Sequence, residues 1–196
     1  MKRIIAVLIG ITLLGTPSLQ AKQYNDGPKN DFSISYGYFT IPQFAVVLGG
    51  VFGAAFSLGY ATPTEITSSG SVKLEYLHKT NSWLWLGAGL SGEMDSLKMV
   101  SKDSDGNVLS TMTNNIITGN LVGTAKANWL RRPKFAMYTK LSAGIFSTFG
   151  DDDNQIAPSI QLSLLGLEGG GQNFRGFIEF GAGMQGLVNG GIKFLF

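Results

Sequence analysis

The chain predicts an all-β fold, an eight-stranded antiparallel up-and-down β-barrel, and three observations carry that expectation. Segment after segment alternates apolar and polar residues with the two-residue period of a strand whose faces meet different surroundings. Turn chemistry separates the segments: Asn81-Ser82, the Asp105-Gly106 pair, and Arg131 to Lys134 around Pro133. Glycine is abundant, 27 of 196 residues against a usual ~7 %, with no collagen-like period, which suits sharply coiled strands packed against aromatics.

Strand one is expected over 31–41, with Phe32, Ile34, Tyr36 and Tyr38 opposite Ser33, Ser35 and Gly37. The uncharged stretch 43–60 loses the alternation and reads as a short helix or an irregular apolar loop, although Gly49, Gly50 and Gly53 weaken a helix. Residues 62–71 read as turn-rich. Strand two follows over 71–79, with Val72, Leu74 and Tyr76 opposite Lys73 and Glu75. Strand three covers 83–99, setting Trp83 and Trp85 against Leu84, Leu86 and Leu90, and 102–107 is a polar loop. Strand four, 109–130, opposes Leu121, Gly123, Ala125, Ala127 and Trp129 to Asn120, Thr124, Lys126 and Asn128. Strand five, 135–149, opposes Met137, Leu141 and Ile145 to Tyr138, Lys140 and Ser142, and 150–155 is a loop. Strand six, 156–168, opposes Ile160, Leu162 and Leu164 to Ser159, Gln161 and Ser163. Strand seven, 174–181, opposes Ile178 and Phe180 to Arg175 and Glu179, and strand eight is expected over 185–196. Connections after even-numbered strands are short, and those after strands one, three and five are longer.

At the N-terminus, Lys2 and Arg3 precede an apolar run from Ile4 to Leu14. That run falls short of the ~20 residues a membrane-spanning helix needs, so residues 1–21 read as a secretion signal cut after Ala21. Residues 22–30 form a polar lead-in and 31–196 the barrel. Loss of the signal removes two cations and takes the formal charge from +2 to zero, so nothing points to nucleic acid. There is no cysteine, which excludes disulfides and thiolate metal sites. No cofactor or metal ligand set is expected.

The polar faces hold Ser, Gly, Asn and Gln with only an occasional ion, too little charge for a water-facing surface. Turned inward, they gather Lys73, Glu75, Lys126, Lys140, Arg175, Glu179 and Lys193 in one lumen. Unpaired buried charge is expensive, so Glu75 and Glu179 are expected among these cations. Eight strands leave an interior that side chains fill, which favours a hydrogen-bonded plug over a conducting pore. A soluble, lipocalin-like secreted barrel, with the same strands turned the other way, is the alternative.

In the terminal run, Phe196, Phe194 and Ile192 share one side of a strand, with Lys193, Gly191 and Asn189 on the other. The positions of Asn189, Gly191, Phe194 and Phe196 resemble the C-terminal recognition strand of bacterial outer-membrane β-barrels. Residues 31–196 as a whole resemble small eight-stranded barrels of the OmpA/OmpX type, the outer membrane protein beta-barrel domain family. The resemblance implies a transmembrane barrel in a Gram-negative-type outer membrane with both termini periplasmic. It also implies contact with outer-membrane lipid and lipopolysaccharide, recognition of the terminal strand by the barrel-assembly machinery, and a monomer.

Within that frame Tyr76, His78, Trp83 and Trp129 are expected in an aromatic girdle at the short-turn end. His78, the only histidine, has no carboxylate on its own strand face, which argues against an outer-leaflet lipid-modifying enzyme. Asp151-Asp152-Asp153 and Asp103, Asp105 and Asn107 read as solvated loops, because the second stretch departs from the calcium-loop pattern. The candidate apolar ligand or loop site is Phe44, Val47, Leu48, Val51, Phe52 and Phe56 in the first outer loop. The expected function is non-enzymatic: a surface or structural barrel presenting its loops. Binding or passage of small hydrophobic compounds through the apolar loop is the transport alternative.

Overall fold

Period-two alternation becomes nine strands among the described residues: β1 (Asn30–Tyr38), β2 (Ala61–Ser68), β3 (Ser71–Lys79), β4 (Leu84–Lys102), β5 (Val108–Arg131), β6 (Phe135–Phe149), β7 (Gln155–Gly170), β8 (Phe174–Gly183) and β9 (Val188–Leu195). The structure is a computed structural model and describes residues 27–45, 47–48, 61–103, 107–149 and 154–196, with 61–66 described by backbone pairing alone. The expected signal, 1–21, and most of the lead-in lie outside these residues.

All pairings are antiparallel, and β4 pairs with β5 to close the sheet on itself. Nine strands make eight staves, because β2 and β3 follow one another along the same edge of β4. Residues 72–79 of β3 pair with 85–92 of β4, and 61–68 of β2 pair with 95–101 higher up the same strand. The break falls at Ser69-Gly70. Gly70 has φ +69°, where a side chain is strained and a Cβ would also strike the Tyr36 ring. Ser69 keeps the ladder going across the break, its N–H donating to Met94 O at 2.8 Å while its Oγ accepts from Met94 N at 2.9 Å. The fold is therefore a closed, eight-stranded, antiparallel up-and-down barrel.

The turn-rich reading of 62–71 is corrected by β2. The stretch is rich in β-branched residues, and the upper half of β4 offers it a partner. Pro63 cannot donate to the ladder, and the register shifts between Pro63 and Glu65. Several strand ends also move: β4 runs to Lys102, β7 to Gly170 and β8 to Gly183, past the expected 99, 168 and 181. β1 stops at Tyr38, where Phe39 takes φ +59°, a left-handed turn costing about 1–2 kcal/mol in a non-glycine residue. β9 begins at Val188 because Gly183 and Gly186, φ +142° and +103°, fold Met184 and Gln185 into the mouth of the barrel. Residues 41–45 and 47–48 are helical, as the short-helix reading allowed; 49–60 lie outside the described residues.

The connections 80–83, 132–134 and 171–173 lie at one end with residues 27–29 and Phe196, where Asn30 N donates to Phe196 O at 2.8 Å. The strand ends at the other four gaps between staves share the opposite end. There β4 and β5 rise well above the end of β1, supported by β2.

The two faces are chemically opposite. Outward positions read Phe32, Ile34, Tyr36 and Tyr38 on β1, Val72, Leu74 and Tyr76 on β3, and Ile156, Ile160, Leu162 and Leu164 on β7, all exposed. Inward positions carry the charge: Asp31, Lys73, Glu75, Lys126, Lys140, Glu168, Arg175, Glu179 and Lys193 are each at most 5 % exposed. A water-soluble domain buries the first set and exposes the second. This barrel does the reverse.

Candidate functional site

Alternation along each strand is what aims the ionic side chains into the lumen, and there they form tiers. In the middle tier Glu75 accepts from Lys73 and Thr124 on one oxygen and from Lys140 on the other, the last at 3.1 Å. Lys140 also reaches Glu179 Oε1 at 2.6 Å. The Tyr138 hydroxyl donates to that same oxygen at 2.8 Å, and Ser163 donates to Oε2 at 3.1 Å. Lys140 thus bridges carboxylates from two separate strands, β3 and β8.

The lower tier sits toward the short-turn end. Glu168 Oε2 accepts from Lys126 and Lys193, both at 2.9 Å, and Oε1 from Arg175 at 2.8 Å. Asp31 Oδ2 faces the same two lysines at 3.2 and 3.3 Å. Both ammonium groups lie over the Tyr138 ring, Lys126 at 4.3 Å and Lys193 at 5.0 Å from its centroid. The ring has room because Gly166 faces it, and a Cβ there would strike the Tyr138 ring carbons. Arg175 seals the end, donating also to Gly171 O and Pro133 O at 3.0 and 2.8 Å.

The seven lumen residues expected from the sequence therefore lie inside one barrel, and salt bridges link each of them to a neighbour. Two central members were missed. Asp31 shares the inward period of Ser33 and Ser35, so the alternation held the signal. Glu168 did not announce itself: strict alternation from Leu162 and Leu164 places it outward, and the register shift between Ser163 and Leu165 turns it in.

The upper tier, at the end opposite the short turns, is different. Thr40 Oγ1 donates to Glu93 Oε1 at 2.6 Å, drawing the start of the helical segment into the lumen, and Gln43 Oε1 accepts from Thr40 N at 3.1 Å. Across the mouth Gln185 N donates to Gln161 Oε1 at 2.8 Å and Gln161 Nε2 to Gly186 O at 3.0 Å. The short connection between β8 and β9 is thus a second insert in the mouth.

Of the apolar loop residues, Phe44, Val47 and Leu48 are exposed on the helical segment, while Val51, Phe52 and Phe56 lie outside the described residues. An open cleft of about 330 Å³ lies at the Ser69-Gly70 break, lined in part by Met94, Asp95 and Ile117. His78 stands at the short-turn end, its Nδ1 2.9 Å from Asn30 Oδ1, which also accepts from Tyr76 Oη at 2.9 Å. Trp83 and Trp129 are exposed at the same end. Asp103 closes a turn, accepting from Asn107 N at 2.8 Å and Asn107 Nδ2 at 3.2 Å; residues 104–106 and 151–153 are outside the described residues. In the terminal strand Asn189 and Gly191 face inward and Phe194 outward, with its ring 5.1 Å from that of Phe174.

No protein-family model matches the chain, and no curated protein matches it. The class it defines rests on its own geometry: a closed eight-stranded barrel with a charged, side-chain-filled lumen and an apolar exterior.

Proposed function

We propose that the protein is an integral outer-membrane β-barrel that acts as a non-enzymatic anchor, holding its outer loops and the tall β2–β4–β5 wall above the lipid. The carrying observation is the outward face. Along β5 from Trp129 to Ile117 the outward positions are Ala127, Ala125, Gly123, Leu121 and Gly119, with no ion among them. At ~3.3 Å per residue and a tilt near ~40° that run spans about 30 Å, enough for the ~25 Å apolar band of such barrels. Thr139, a polar residue facing outward, turns its hydroxyl to Leu164 O at 2.9 Å and so presents little to its surroundings. Closure of the sheet satisfies the backbone without water, the requirement lipid imposes.

Aromatic residues favour the two borders, Tyr76, Trp83, Trp129, Phe174 and Phe194 at one and Tyr36, Tyr38 and Phe39 at the other. The exposed Phe44, Val47 and Leu48 then rest in the outer leaflet rather than in water. The ion pairs that cross the two lower tiers support anchoring over conduction.

The test is fractionation of expressing cells followed by gel electrophoresis of each fraction with and without boiling. Recovery in the outer membrane with a heat-dependent shift in migration is the expected result. Recovery as a soluble periplasmic or secreted protein with no shift would overturn the proposal.

A further inference from the structure

The outer tier of the lumen has an unbalanced charge. Glu93 and Asp95 lie two residues apart on the inward face of β4 and are 4 % and 3 % exposed. Neither has an ion-pair partner among the described residues, whereas each carboxylate of the two lower tiers has one. Residues 49–66 and 103–114 contain no lysine or arginine, and the cations nearest along β4 are Lys98 and Lys102, beyond Asp95. Glu93 is held by neutral donors alone, Thr40 and Ser68, and both oxygens of Asp95 are buried without a hydrogen bond.

A second observation points at the same spot from the neighbouring strand. Thr118 is the register partner of Glu93 on β5, and Asn120 lies one inward step below it. Both are 4 % exposed, and the Thr118 hydroxyl and both polar atoms of the Asn120 amide have no partner. Buried polar groups in native proteins are nearly always bonded, and a buried unpaired carboxylate is costlier still. Two carboxylates, an amide oxygen and a hydroxyl on adjacent inward positions of β4 and β5, all but Glu93 without a hydrogen-bond partner, form an oxygen donor set with a net charge of −2.

We propose that Glu93, Asp95, Thr118 and Asn120 bind one hard divalent cation, of the calcium or magnesium class, in the outer mouth of the lumen. Oxygen ligands and charge suit such an ion, with water completing its shell. Among the described residues no third carboxylate or histidine joins them, so the site belongs to the weak class. Thr40 bonds to Glu93, so the ion lies directly under the helical segment and fastens that cap to β4. The site is inside the barrel and does not depend on where the barrel resides.

The experiment is calorimetric titration of the detergent-folded, EDTA-treated full chain with calcium and with magnesium chloride, alongside thermal unfolding in each salt. One equivalent of ion should bind with Kd on the order of 10⁻⁴–10⁻³ M, with a higher unfolding midpoint in ~10 mM salt than in EDTA. Asp95→Asn and, independently, Asn120→Ala should weaken binding about tenfold or more, the usual scale for lost metal-site groups. Should Asp95→Asn fail to fold, Asn120→Ala and the wild-type titration decide the matter. Three results overturn the site: no heat and no thermal shift up to ~10 mM ion; binding that survives both variants but is lost on replacing Asp151, Asp152 and Asp153 by Asn; or stabilisation by Asp95→Asn with no response to ion, which assigns the pair a shared proton.

Discussion

Glu168→Gln tests the lumen network where it is most crowded. The wild-type carboxylate receives Lys126 and Lys193 at 2.9 Å and Arg175 at 2.8 Å, and Asp31 is the only other anion bonded to these lysines among the described residues. The substitution conserves shape but removes one charge, so the two lysines keep Asp31 alone and Arg175 loses its carboxylate. The amide also sets an N–H₂ against either the lysine pair or the guanidinium, whichever way it is turned. All of these groups are at most 4 % exposed, so water cannot compensate. Breaking a buried pair by removing one partner costs about 3–5 kcal/mol. With a urea slope near ~2 kcal/mol/M, the unfolding midpoint should fall by about 2 M. Tryptophan fluorescence of the detergent-folded protein reads this directly, since Trp85 is buried beside Lys126. Adding Lys193→Met removes the surplus cation and should recover part of the loss, a coupling on the order of 1–3 kcal/mol. A loss below ~1 kcal/mol for Glu168→Gln would refute the claim that this network holds the barrel together.

Two further substitutions probe the exterior and the ring beneath the lysines. Leu121→Arg places a cation mid-band between Leu90 and Ile145 and should cost about 2–4 kcal/mol in lipid vesicles, measured by urea unfolding. A change within ~0.5 kcal/mol would mean that Leu121 faces water. Gly166→Leu forces Tyr138 from its seat between Glu179 and the lysines and should destabilise by about 1–3 kcal/mol, while Gly166→Ala should cost less; equal effects would contradict the packing account.

The sequence reveals the fold wherever the two-residue period holds. It holds through 71–79 and 135–149, and the predicted strand limits there coincide with β3 and β6. It fails at bulges. Glu168 lies beyond the register shift in β7, so parity counted from Leu162 points it the wrong way, and no local residue type marks the shift. β2 was hidden for another reason: its partner is the upper part of β4, and a strand that exists because a distant one is tall has only weak local evidence. The mouth was hidden too. Phe39 at φ +59° and the Gly183 and Gly186 turns send Thr40 and Gln185 inward, decisions of backbone geometry that alternation cannot express. Glu93 and Asp95, by contrast, continue the inward period of Ser91, and the carboxylates of the outer tier could have been read from that run.

The central claim is that the apolar face meets lipid and the charged face meets itself. The chain has no cysteine, so single cysteines can be placed along β5 without background. Cysteines replacing Asn120, Leu121, Val122, Gly123, Thr124 and Ala125 in turn would be labelled in vesicles with a water-soluble maleimide and, separately, with a lipid-phase probe. A lipid-facing exterior gives a two-residue alternation: positions 121, 123 and 125 react with the lipid-phase probe and resist the aqueous one, and 120, 122 and 124 do not react with the lipid-phase probe. Aqueous labelling of 121, 123 and 125 in the folded protein would contradict it, leaving a barrel whose apolar face stands in water.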